Sequence, residues 1–192
     1  RYTEKGNKII LIGHSGHQEV IGTMGQAKMD LVEKIEDIER IDIPKDSQVS
    51  YITQTTLSMD DTKEVADAIR RRFPNIVEPK KEDICFATQN RQNGVKEMVK
   101  RWAEVILILG SQNSSNSQRL KEVSLSLGVP GYLFDDISQF QTDWILRRRI
   151  IGVTAGASAP PSKVSELIDH FRDLGIEKFE EVLVAREGFS FK

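Results

Sequence analysis

Residues 8–26 read KIILIGHSGHQEVIGTMGQ. An apolar run of strand length stops at Gly13, a short polar loop follows, and a helix-like segment takes over. The loop holds His14 and His17, with Glu19 just beyond, and the stretch contains four glycines. Such a run makes a poor core segment and a poor plain turn, so its polar residues need another reason to be there.

The same grammar returns at 104–120, EVILILGSQNSSNSQRL: strand, small polar loop, helix. A second pair matches as well. VSYITQTTLSMDDTKEVADAIRRRF at 49–73 and RIIGVTAGASAPPSKVSELIDHFRDL at 149–174 are each strand, Thr/Ser loop and helix. Strands are expected at 8–13, 49–54, 105–110, 131–134, 150–154 and 181–185, with a weaker one at 30–32. Ser58 is the expected N-cap of a helix whose inner face carries Val65, Ala66 and Ile69. Gly128 and Gly175 stand where helices end, and prolines at 160–161 stand where one begins. Alternating strands and helices predict an α/β fold of two similar modules, each a small, mostly parallel sheet with helices on both faces. The expected boundary lies near EPKKED at 78–83, giving modules 1–82 and 83–175 and a strand-bearing tail, 176–192.

Composition excludes several classes of function. With 39% apolar and 29% charged residues, the 192-residue chain reads as an ordinary soluble globular protein. A net charge of −2 offers no field for nucleic acid, and RRRF at 70–73 and RRR at 147–149 read as solvated helix ends. No run of about 18 apolar residues suggests a membrane span. The single cysteine, Cys85, excludes an internal disulfide and suits a reducing, cytoplasmic setting. The first residue is Arg1 rather than Met, which reads as a piece of something longer.

In open α/β sheets, ligands bind outside the carboxyl ends of the strands. The unusual loops, 13–19, 54–58, 110–116 and 154–158, all fall there, and modules facing each other would bring them to one site. Ser111, Asn113, Ser114, Ser115 and Asn116 precede a helix, where free backbone N–H groups and short hydroxyls or amides suit an anion. Gly156 and Ser158 repeat the device, as does TQTTLS at 53–58. Neither a P-loop nor G-x-G-x-x-G is present, so a phosphate or diphosphate is expected rather than a nucleotide cradle. His17 could bind phosphate or shuttle a proton, and Glu19 could donate one. His14, His17 and Glu19 match no strong metal motif. Cys85 and Arg91 stand in C-x5-R spacing, but Ile84, Thr88 and Gln92 break the cysteine-phosphatase signature. A buried structural thiol is the bland alternative for Cys85 on this stretch alone.

Five stretches together, GHSGHQEVIGTMGQ, TQTTLSMDDT, DICFATQNRQ, GSQNSSNSQRL and GVTAGASAP, resemble one family: the bacterial 4-hydroxy-3-methylbut-2-enyl diphosphate reductases, or LytB family. The resemblance implies a trefoil-like fold of three α/β modules around a 4Fe–4S cluster held by three cysteines. It implies an oxidoreductase of the non-mevalonate isoprenoid pathway that removes the substrate's hydroxyl with two electrons, yielding isopentenyl and dimethylallyl diphosphates. Electrons would come from a donor such as ferredoxin or flavodoxin. By the same resemblance Cys85 is a cluster ligand, His17 contacts the diphosphate, and Glu19 delivers the proton. Thr55 sits near the hydroxyl end, while Ser114, Ser115, Asn116 and Ser158 complete the diphosphate site. The family's N-terminal module, with the other two cysteines, has no counterpart in this sequence. The chain would then correspond to the second and third modules and be inactive alone. The alternative is a stand-alone module that binds a diphosphate metabolite without redox activity.

Overall fold

The computed structural model describes residues 6–77 and 86–184. The strand opening the first module, β1 (Lys8–Ile12), lies between β2 (Asp30–Val32) and β3 (Val49–Thr53), and β4 (Ile76–Val77) extends the far edge. All three pairings are parallel, with Ile10 opposite both Asp30 and Tyr51. Ile9 through Ile12 are all buried, which is why this strand reads as a continuous apolar run and does not alternate. Ile10 and Ile12 pack with Val65, Ala66 and Ile69 of α3 (Met59–Arg72). Ser58 caps that helix by accepting the Asp61 N–H at 3.3 Å. Asp60 and Asp61 in its first turn and Arg70–Arg72 in its last complement the helix dipole. Two shorter helices, α1 (Gln18–Met24) and α2 (Ile35–Ile38), join the strands.

The second module repeats the plan. Its central strand β5 (Val105–Leu109) lies between β6 (Gly131–Phe134) and β7 (Ile151–Ala155), again all parallel. Ile106 and Ile108 pack toward Val95 of α4 (Phe86–Lys100) and Leu120 and Val123 of α5 (Ser115–Ser126). Val105, Leu107 and Leu109 face Leu167 and Phe171 of α6 (Pro161–Asp173). Helices therefore cover both faces, as expected. Gly128 and Gly175, just past α5 and α6, take the left-handed conformation (φ 77° and 85°) that favours glycine. The chain divides into two compact units, Arg1–Cys85 and Phe86–Lys192. The expected boundary at 82–83 lies outside the described residues.

Two features differ from expectation. Helix α4 and the short α2 and β4 carry weak sequence signals. In α4, Gly94 lowers helix propensity, and Thr88 and Gln92 are buried polar residues on what should be an apolar face. The strand expected at 181–185 is a correction: Glu181–Val184 are not in a strand. A strand exists only through a ladder partner, and among the described residues these four pair with neither sheet. The preceding residues are tied down instead by side chains, with Glu180 accepting from Arg101 Nη1 at 2.5 Å and Arg172 over the Phe179 ring.

Ile69 is fully buried and Lys63 is exposed on the same helix. Ile69→Ala should cost about 2–5 kcal/mol, read from the urea midpoint, whereas Lys63→Ala should stay within about 0.5 kcal/mol.

Candidate functional site

In the first unit the site is built on a close approach. Gly13 follows β1, and a Cβ there would stand 2.6 Å from Val20 Cγ2 and 3.3 Å from Gln54 Oε1. Only glycine lets α1 and the end of β3 meet at this point. Gly16 then takes a left-handed turn (φ 80°) into α1. His17 is the N-cap, its Nδ1 accepting the Glu19 N–H at 3.2 Å. With Nδ1 accepting, the neutral imidazole carries its proton on Nε2.

Glu19 is held at both oxygens. Thr55 N–H donates to Oε1 at 3.0 Å, and the Thr55 hydroxyl donates to Oε2 at 2.9 Å. A carboxyl from α1 is thereby fixed against the loop after β3, across thirty-six residues of sequence. His14 points elsewhere, its Nδ1 lying 3.8 Å from Glu33 Oε2. Among the described residues no group of three His, Cys, Asp or Glu could hold a metal ion.

Gln54 escaped the sequence reading. It is 2% exposed, accepts the His14 N–H at 3.0 Å through Oε1 and donates to Thr56 Oγ1 at 3.0 Å through Nε2. It clamps the two loops of this unit. The available signal was a long amide directly after an apolar strand, where such a side chain is unexpected unless it is bonded.

In the second unit Ser114 caps α5, its hydroxyl accepting the Ser117 N–H at 3.3 Å. Ser115 and Asn116 form the first turn. Asn116 is 6% exposed, yet among the described residues neither its Nδ2 nor its Oδ1 has a partner, and the fully buried Ser117 Oγ has none either. An unsatisfied buried polar group costs about 1–3 kcal/mol, so a pair of amide atoms left this way calls for a reason. Glycines frame the spot. A Cβ at Gly110 or Gly156 would stand 2.3 or 2.2 Å from Ser117 Oγ. Gly156 also donates to Leu109 O at 2.7 Å, which draws the loop after β7 against the start of α5. Ser158 lies exposed in the turn that follows.

Cys85 lies outside the described residues. One cysteine in the chain does not provide the thiolate set that a 4Fe–4S cluster requires, so the donors present do not fit that group.

Fold and site together define a two-unit α/β protein with hydroxyl and amide loops at the carboxyl ends of parallel strands, and a carboxyl–threonine pair in one of them. Residues 1–172 match the LytB protein family. The 4-hydroxy-3-methylbut-2-enyl diphosphate reductase of Ruthia magnifica is 47% identical over 193 residues, covering 100% of this chain and 63% of that protein. The enzyme of the same name from Ralstonia nicotianae is 47% identical over 189 residues, covering 97% of this chain and 58% of its own length. The solved structure of E-1-hydroxy-2-methyl-but-2-enyl-4-diphosphate reductase from Plasmodium falciparum superposes with a TM-score of 0.82 at 31% identity, over 88% of this chain and 53% of that one. This chain belongs to the LytB family. It spans about three fifths of the length of these bacterial relatives.

The packing at Gly156 can be tested directly. Gly156→Ala should destabilise the protein by about 1–3 kcal/mol through its clash with Ser117 Oγ. Ser117→Ala should relieve most of that loss, because the nearest neighbours of the new Cβ would then be the residue 117 Cβ at 3.5 Å and Asn116 Nδ2 at 3.8 Å, ordinary contact distances. Equal losses in the two backgrounds, by thermal melting, would place the strain elsewhere.

Proposed function

We propose that this chain is part of a 4-hydroxy-3-methylbut-2-enyl diphosphate reductase, and that it supplies the proton donor and the diphosphate loops of that enzyme. The observation that carries the reading is the Glu19–Thr55 pair. A chain similar to these reductases along its whole length keeps a carboxyl already bonded to a hydroxyl at the ends of β1 and β3. Removing an allylic hydroxyl as water requires a proton at oxygen. A protonated Glu19 can give one to Thr55 Oγ1, which donates in turn to the leaving oxygen, since a hydroxyl both accepts and donates. His17, whose Nδ1 is taken by the Glu19 N–H, has Nε2 as the ring atom that would donate to a phosphate oxygen.

The second unit supports the diphosphate half of the reading. The amide of Asn116, buried without a partner at the first turn of α5, gains one when an anion arrives, and Ser114, Ser115 and Ser158 add hydroxyls. The cluster of the whole enzyme would take Cys85 as one ligand. Its remaining thiolates are assigned to the part of the relatives' length that this chain does not span, and a ferredoxin or flavodoxin would supply the electrons. With one cysteine, the chain by itself is read as binding a diphosphate without turning it over.

Calorimetric titration of the chain should show binding of isopentenyl diphosphate but not of isopentenol. Asn116→Ala should weaken that binding by about 1.5–3 kcal/mol, the usual worth of a hydrogen bond to a charged group. Equal affinity for the two ligands would mean that the loops are not an anion site.

In an enzyme of full relative length, Glu19→Gln keeps shape and hydrogen bonding but has no proton to give. Turnover with a chemical reductant should fall by about 10²–10⁴-fold while substrate affinity stays close to normal. Near-normal turnover would remove Glu19 from the proton path.

A further inference from the structure

The C-x5-R spacing of Cys85 and Arg91 has no role in the site as described, yet Arg91 reaches a telling place. From α4 its Nη1 donates to the carbonyl oxygen of Ala155, the last residue of β7, at 2.6 Å. β7 is an edge strand, hydrogen-bonded to β5 on one side only. The Gly156 N–H of the same peptide donates inward to Leu109 O at 2.7 Å. No peptide among the described residues is cis, and in a trans peptide the C=O and the next N–H point in opposite directions. The Ala155 carbonyl therefore faces the open edge, where no strand among the described residues satisfies it. Arg91 does so instead.

We infer that Arg91 is a positioning residue, locking the 155–156 peptide from its outer side and so setting the Gly156–Ser158 turn for the diphosphate. The inference rests on the diphosphate reading above. One peptide plane is anchored twice, by β5 through its N–H and by α4 through its C=O, immediately before the turn that carries Ser158. The same plane carries the Gly156 Cα against which Ser117 packs. The half-buried guanidinium suits the task because its planar fork, once placed, loses little further freedom per bond. Since α4 is the helix that begins directly after Cys85, the contact also ties that helix to the loop of the same unit.

Acting through the turn, Arg91 should be energetically coupled to Ser158. Calorimetric titration of the chain with isopentenyl diphosphate reads this from a cycle of Arg91→Met, Ser158→Ala and the double variant. Arg91→Met should bind about tenfold more weakly, in keeping with a lost charge-assisted bond. The double variant should bind no more weakly than the weaker single, because the two changes disable one element. Arg91→Lys, which keeps one donor to the Ala155 carbonyl, should recover most of the loss, and a cycle run with Arg91→Gln, whose side chain is too short to keep the bond, serves if Arg91→Met does not fold. Additive losses in either cycle, or wild-type affinity in Arg91→Met, would overturn the inference while leaving the diphosphate reading in place. A wild-type chain that does not prefer isopentenyl diphosphate to isopentenol would bring down both.

Discussion

The burial of β1 and β5 on both faces is the constraint from which the polar architecture follows. Each is an interior strand of a parallel sheet, and all its side chains but Lys8, at the start of β1, are buried. Polar groups can enter only where the strand stops. The backbone must then pass at once from ladder to loop to helix, and the helix must return close enough to cover the strand it has just left. Gly13 and Gly110 sit at those two stops, where any Cβ would run into the returning helix. A loop this tight has no slack, so the side chains it carries are held in place by the packing beneath them.

The two units handle their polar side chains in opposite ways. Glu19 has partners for both carboxylate oxygens, and Gln54 has partners for both ends of its amide. This is a network that is complete among the protein's own groups and holds the carboxyl in one geometry. Asn116 is buried with neither amide atom bonded. A group left in that state costs the folded protein about 1–3 kcal/mol, and that cost is recovered when a ligand bonds to it. The arrangement raises affinity for whatever fits the spot and is neutral toward what does not. The proposed proton transfer calls for the first design and the proposed ligand capture for the second.

The apolar runs at 8–12 and 105–109 and the cap residues Ser58, Gly128 and Gly175 were legible because each reflects a local rule. Buried strands are apolar throughout, and helix ends need a side-chain oxygen or a left-handed residue. The carboxyl, hydroxyl and amide residues of the loops were legible for the same reason, standing at strand ends where composition alone makes them odd. What escaped was tertiary. Helix α4 is held by contacts that bury Thr88 and Gln92, so its inner face does not look apolar. Gln54 and Arg91 look like ordinary surface residues until the sheet brings distant loops to them, forty and sixty-four residues away. The tail residues 181–184 have strand-like composition, but pairing depends on a neighbour that composition cannot supply.

The internal echo runs deeper than strand order. Val20 and Ser117 are each the third residue of the helix that follows a central strand, and each is the atom-to-atom neighbour that forbids a Cβ at the preceding glycine. His17 and Ser114 are the equivalent N-caps, each accepting from a first-turn N–H. That leaves Glu19 and Asn116 as the second residue of each helix, one position used twice for the polar group aimed at the strand ends. The contrast between them traces to the residue after the next strand over, β3 in the first unit and β7 in the second. In the first unit it is Gln54, whose long amide fills the space beside Gly13, and Thr55 beyond it reaches Glu19. In the second it is Gly156, which contributes no side chain. At Gly156 the place a Cβ would take is held instead by Ser117 Oγ, 2.2 Å away, so the returning helix comes in closer than a side chain there would allow. A glutamine in one unit thus bonds the neighbouring loops to each other, while a glycine in the other brings the helix start against the strand end and leaves the Asn116 amide unbonded among the described residues.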